Sequence, residues 1–218
     1  VLIHDFIERR DWSVSLVCDQ FWRRVYSLAF DGYIDTSPPN ADARTQRLGL
    51  DRVVLISGGG VVRIDEKTRS RDYGDILIEY VSNDRTGAPG WIEQDLQVDY
   101  LAYGVPGAGI AFLIAWMAIR RAWIANRDQW LAAARSGRLG FRTVMARNEG
   151  YTTISVAVPQ RRLWSVLGAD EVIRVRLADA SRLTEQAGAC IISSHSEATA
   201  EGRVRAGPAS QHEGGVRW

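Results

Sequence analysis

Lysine is all but missing from this chain. Of its 27 basic residues, 26 are arginine and one is Lys67. Cysteine and histidine are nearly as scarce. The two cysteines, Cys18 and Cys190, match no zinc or redox spacing and form no disulfide framework, which points to a reducing compartment. The three histidines, His4, His195 and His212, lie near the chain ends, so a histidine-based hydrolase triad has no good base. Long apolar runs are absent as well: the longest, around Gly109 to Ile119, is too short for a membrane span. The opening VLIHDFIERRDW has no basic leader before an apolar core, so no secretory signal is read there. A net charge of +1 exerts no global pull on nucleic acid or membrane, and any acidic partner must be met by local clusters of arginine. These absences predict a soluble, cytoplasmic protein without a membrane partner.

What is present is ordinary globular composition, 46% hydrophobic and 24% charged over 218 residues. Residues 12 to 30 read as an amphipathic helix, with Leu16 or Val17, Phe21, Val25 and Leu28 at helical spacing. A connection rich in turn residues follows from Asp35 to Arg44. Residues 50–57 and 61–68 are rich in β-branched side chains and flank Gly58, Gly59 and Gly60, as a hairpin requires. Further strands are predicted at 75–81, 99–105 and 110–114. A helix spans 116–134, with Trp116, Trp123 and Trp130 seven residues apart on one stripe. That stripe suits a core better than a platform for unpaired bases. A strand at 151–158 and a short helix after Pro159 complete a domain of residues 1–168. One more helix or strand could lie in 170–186. From Ser193 onward the polar composition predicts a loosely attached or disordered tail, making 169–218 an appendage. The fold class expected is α+β, with a mixed, partly antiparallel central sheet flanked by helices.

The hairpin is where chemistry concentrates. Strand alternation places Val61, Arg63, Asp65 and Lys67 on one face and Val62, Ile64 and Glu66 on the other. Asp51 opens the first strand, and hairpin pairing brings it toward Asp65. Two carboxylates then converge beside one ammonium. Carboxylates of this kind are the ligands magnesium prefers, leaving other positions to water and substrate phosphate. A lysine there could orient the water, help deprotonate it or stabilise developing negative charge. Lysine, unlike arginine, is a compact and titratable ammonium, so one lysine in an arginine-only chain asks for a chemical reason.

Asp51, thirteen intervening residues and then Asp65-Glu66-Lys67 at a hairpin resemble the PD-(D/E)XK nuclease superfamily. The resemblance covers roughly residues 12 to 160 and implies a restriction-endonuclease-like core. It implies that Asp51 and Asp65 bind Mg²⁺, with Mn²⁺ as a substitute, that Glu66 completes the site through its backbone carbonyl, and that Lys67 serves the attacking water. Departures are plain: Leu50 stands where a proline usually precedes the first aspartate, and no Q-x-x-x-Y signature is present. The segments QRLGLD, DILIEY and GWIEQDLQVDYLAY also resemble small phage and prophage proteins of this superfamily. Asp19, Gln46 and Glu79 are candidate accessory residues.

The expected activity is metal-dependent hydrolysis of DNA phosphodiester bonds. Arg63, Arg69 and Arg71 around the motif, with Arg120, Arg121 and Arg127 on the tryptophan helix, are the candidate phosphate contacts. The alternatives are a catalytically silent nucleic-acid-binding protein on the same core, or an RNA-directed nuclease.

Overall fold

The computed structural model describes residues 2–5, 16–36 and 50–178. The accessory candidate Gln46, the predicted turns beyond residue 36, Cys190, and the tail from residue 179 onward lie outside the described residues.

The chain runs through β1 (Leu2–Asp5), α1 (Leu16–Ala29), β2 (Ile34–Asp35), β3 (Arg52–Ile56), β4 (Gly60–Thr68), β5 (Asp75–Asn83) and β6 (Ala88–Pro89). It continues through β7 (Tyr100–Val105), β8 (Ile110–Ala115), α2 (Trp116–Ser136), β9 (Arg142–Asn148), β10 (Tyr151–Pro159), α3 (Gln160–Trp164) and β11 (Val172–Arg176). This is the mixed α+β class that the sequence predicts. Its strands are divided between two sheets, in the orders β1-β9-β10-β5-β6 and β11-β8-β7-β4-β3-β2. Each sheet is mixed: β4 runs parallel to β7 and β1 parallel to β9, and the other pairs are antiparallel. Strand β11 pairs with β8, so the folded sheet continues past the boundary expected at residue 168.

The hairpin of β3 and β4 forms where the three glycines allow it. Gly58 and Gly59 take φ of 88° and 80°, a left-handed region that other residues enter only with strain. The register then places Arg52 opposite Ile64 and Leu55 opposite Val61.

The six-stranded sheet is covered on both faces. On one face α1 packs Phe21, Trp22, Val25 and Tyr26 against Val54, Ile64, Ala102 and Leu113. The approach is so close at Gly104 that a Cβ there would lie 2.6 Å from the Phe21 and Trp22 rings. The helix therefore buries Trp22 and Tyr26, while Leu28, an expected core position, is 65% exposed. On the opposite face Leu101, Tyr103, Phe112 and Ile114 join Ile76, Ile78, Val156 and Val158 of the five-stranded sheet, together with α2. Trp116, Trp123 and Trp130 are all buried in this second core, so the stripe holds the fold together. Gly137, with φ 65°, ends α2 by donating to the carbonyls of Ala133 and Ala134.

Candidate functional site

Alternation along β4 separates the charged triplet as its period requires. Asp65 and Lys67 share one face, and the Lys67 ammonium donates to Asp65 Oδ1 at 2.6 Å. Asp65 is 2% exposed, whereas the lysine side chain keeps 31% of its area open to solvent. Asp51 joins them from the edge of β3. Its backbone N–H donates to the Ile64 carbonyl, and its Oδ2 accepts from the Glu66 N–H at 2.8 Å. This continues the hairpin register by one step, placing Asp51 across from Asp65. The Asp51 carboxylate beside it disfavours the charged form of Asp65.

Burial, reinforced by Asp51, pushes the Asp65 carboxyl up to about 7, against the pull of the Lys67 ammonium. For Lys67, burial works against the charged form, but Asp65, Asp51 and Glu79 outweigh it and raise the ammonium above its ordinary value. Glu79, on β5 of the other sheet, therefore enters the same electrostatic neighbourhood. Burial raises its carboxyl, opposed by Lys67, by the Trp91 N–H and by the Ser82 hydroxyl.

One atom tests whether this group fits a cation. Asp65 Oδ2 is buried and has no hydrogen-bond partner. An acceptor without a donor, next to a second carboxylate, is stabilised by whatever positive charge sits between the two. A divalent cation meets that need, and magnesium commonly takes only one or two protein carboxylates. Asp51 and Asp65 would hold it. No group of three His, Cys, Asp or Glu side chains arranged for a metal ion is found among the described residues, so the remaining ligands would come from solvent and substrate.

Two acidic side chains lie away from this group: that of Glu66, which strand alternation already turns to the other face, and that of Asp19, an expected accessory residue. The Glu66 carboxylate lies on the α1 face, where it accepts from Tyr26 Oη at 2.8 Å and from Arg52 Nε at 2.7 Å. Burial raises its pKa, and Arg52 and Tyr26 hold it down. Its side chain is structural, and only its backbone reaches toward Asp51. Asp19 is on the same far face, bonded to Arg23 at 2.7 Å and to Arg52 at 3.0 Å. Arg52 also pairs with Asp35 and is the hub of this cluster. A helix packed on one face of a sheet cannot contribute a side chain to the other, which removes Asp19 from the site.

Most of the arginines expected to meet phosphate are already engaged. Arg69 and Arg142 both clasp the buried Asp75. Arg120 pairs with Asp95 at 3.0 Å, Arg121 with Glu171, and Arg127 with Glu93 at 2.9 Å. Among the described residues no ion pair holds Arg63 or Arg71, and both are exposed. Asp99, at the start of β7, accepts from the Arg63 N–H at 2.8 Å and ties β7 to β4.

The chain was compared with protein-family models, curated proteins and solved structures, and none matched. Among the described residues no helix is long and apolar enough to cross a membrane.

Proposed function

We propose that this chain is a divalent-metal-dependent deoxyribonuclease of the PD-(D/E)XK kind, hydrolysing DNA phosphodiester bonds. The observation that carries this reading is the convergence of Asp51, Asp65 and Lys67 on one face, with the buried Asp65 Oδ2 lacking a donor. Asp51 and Asp65 would hold a magnesium ion, with manganese as a substitute. A bound ion of this kind lowers the pKa of a coordinated water and neutralises charge on the phosphoryl group.

The remaining work falls to residues of the chain. Lys67 is fixed by its 2.6 Å bond to Asp65 Oδ1, which leaves two ammonium hydrogens for other partners. One can orient the attacking water and another can meet the phosphoryl oxygen on which charge develops. Glu79 adds negative charge that keeps Lys67 an ammonium, so donation suits it better than taking a proton. Arg63, exposed on the same strand and face as Asp65, is placed to meet a flanking phosphate.

The test is cleavage of plasmid and of single-stranded DNA by the full chain, in Mg²⁺, in Mn²⁺ and in EDTA. Cleavage that needs metal and disappears in Asp65→Asn supports the reading. DNA binding without cleavage in either metal would replace it with a catalytically silent binding protein. RNA cleavage without DNA cleavage would change the substrate and keep the site.

A further inference from the structure

A second concave site lies away from the carboxylates. It is a cavity of about 320 Å³ lined by Asp72, Ile110, Phe112, Gln160, Trp164, Arg174, Val175 and Arg176. Lys67 lies opposite Tyr103, Tyr103 opposite Phe112, and Phe112 opposite Arg174. Three strand spacings of this row put Arg174 about 14 Å from Lys67 at the backbone. The cavity and the Asp51–Asp65 pair are therefore separate sites.

We propose that this cavity binds one unpaired guanine nucleotide. Its volume is at the small end of the range for ligand pockets, roughly 300–1,000 Å³, which suits a single nucleotide and excludes a duplex. One wall is flat and cationic: the Arg174 guanidinium lies over the Trp164 ring at 5.1 Å, and Phe112 meets Trp164 at 5.0 Å. Bases stack on guanidinium planes and aromatic rings whatever their identity. Arg176, two residues along β11, adds a second cation at the same opening, where a phosphate is held. Arg174 and Arg176 are exposed, and no ion pair is formed by either among the described residues.

Base identity comes from Asp72 and Gln160, which line the same cavity. Asp72 Oδ1 accepts from the Gly74 N–H at 2.8 Å and from Gln160 Nε2 at 3.4 Å. Its Oδ2 is left as an acceptor, and the orientation of the Gln160 amide leaves its oxygen as another. Two acceptors on contacting side chains call for a ligand edge rich in donors. Guanine presents two adjacent donors, N1–H and N2–H, on its Watson–Crick edge, while adenine sets one donor group beside one acceptor and cytosine one donor group beside two acceptors. An acidic residue facing a wholly anionic ligand would be repulsive, so Asp72 favours a base edge over a second phosphate.

The inference stands apart from the cleavage reading, because it requires a nucleotide to bind and no bond to break. Isothermal titration of the full chain in EDTA tests it, with GMP, AMP and a single-stranded hexamer ending in guanine as ligands. GMP is expected to bind at least tenfold tighter than AMP. Arg174→Ala should weaken GMP at least fivefold, and Asp72→Asn should erase the preference over AMP. Both positions are exposed, so the folded chain tolerates these changes. A hexamer that binds tenfold tighter than GMP identifies a strand end as the natural ligand, and equal affinity identifies a free nucleotide. Absence of GMP binding at millimolar concentration overturns the proposal, as does GMP binding that neither substitution alters. Cleavage lost in Asp65→Asn alongside a silent cavity would leave the nuclease reading intact, while guanine binding without cleavage would do the reverse.

Discussion

Lys67 and Asp65 are held together on one strand face by a 2.6 Å bond, and the residue between them, Glu66, serves the opposite side of the sheet. The ammonium is half-sheltered and the carboxylate is buried, so the lysine is the member of the pair that reaches solvent.

On the nuclease reading a larger, planar cation should not take the place of that ammonium. Lys67→Arg is expected to lower cleavage by about 10²–10³-fold, the usual effect of losing one donor at a developing oxyanion. Its melting temperature should change little, because charge and partner are retained. A variant with full activity would remove the lysine from the chemistry.

Asp65 makes the metal-free protein sensitive to pH in a defined direction. Its carboxyl stands at about 7 in the fold against an ordinary value of 3.8, because burial and then Asp51 penalise its charge. Between those values the folded chain holds a proton that the unfolded chain has released. This contribution to stability is present below the unfolded value and is lost as pH rises through about 7. Thermal melts in EDTA should fall across that window, and less steeply in Asp65→Asn. Mg²⁺ should restore stability above it by binding the folded state. Identical slopes for wild type and variant would contradict this account.

Glu66 should prove dispensable for metal chemistry. Glu66→Gln keeps an acceptor for Tyr26 and is expected to retain at least half the wild-type cleavage rate at saturating Mg²⁺. A hundredfold loss in a folded variant would give its carboxylate a part in the chemistry.

Arg52 carries a structural burden in the same cluster. Its side chain is 11% exposed and pairs with Asp19, Asp35 and Glu66. Arg52→Met leaves the part-buried Glu66 carboxylate without a cation, while Asp19 and Asp35 keep Arg23, and should cost about 3–5 kcal/mol, measured by urea denaturation at neutral pH. The loss should shrink in acid, as the carboxylates become neutral. A cost below about 1 kcal/mol would mean that solvent reaches the cluster.

On the nuclease reading the arginines should differ in how they meet DNA. Arg63→Ala should lower affinity and reduce the salt slope by about one counterion. Arg120→Ala and Arg127→Ala should do neither, because each guanidinium is spent on a carboxylate. Trp123→Ala should instead destabilise the fold by about 3–5 kcal/mol, as a large ring leaves the core. Equal salt slopes for all three arginine variants would show that the ion pairs open on binding.

Local periodicity explains what was legible in the chain. The hairpin, α1, β5, β7, β8, α2 and β10 all carry a period of 2 or of about 3.6 in their apolar residues. Strand β9, RTVMARN, went unread because its polar and charged residues obscure that alternation. In α1 the expected stripe included Leu28, but the aromatic rings of Trp22 and Tyr26 won the buried face because a glycine, Gly104, opens space for them on the sheet.

Alternation along β4 was sufficient to pair Asp65 with Lys67 and to turn Glu66 away, since a strand reverses its side chains at every residue. Tertiary structure alone decided that Glu79 would face Lys67 from another sheet, and that Asp19 would be separated from the site by the full thickness of the sheet. It also decided which arginines were consumed, because Asp95 and Glu171 reach Arg120 and Arg121 across 25 and 50 positions of chain. Such partners are chosen by strand order and sheet packing, which no local pattern of residues encodes.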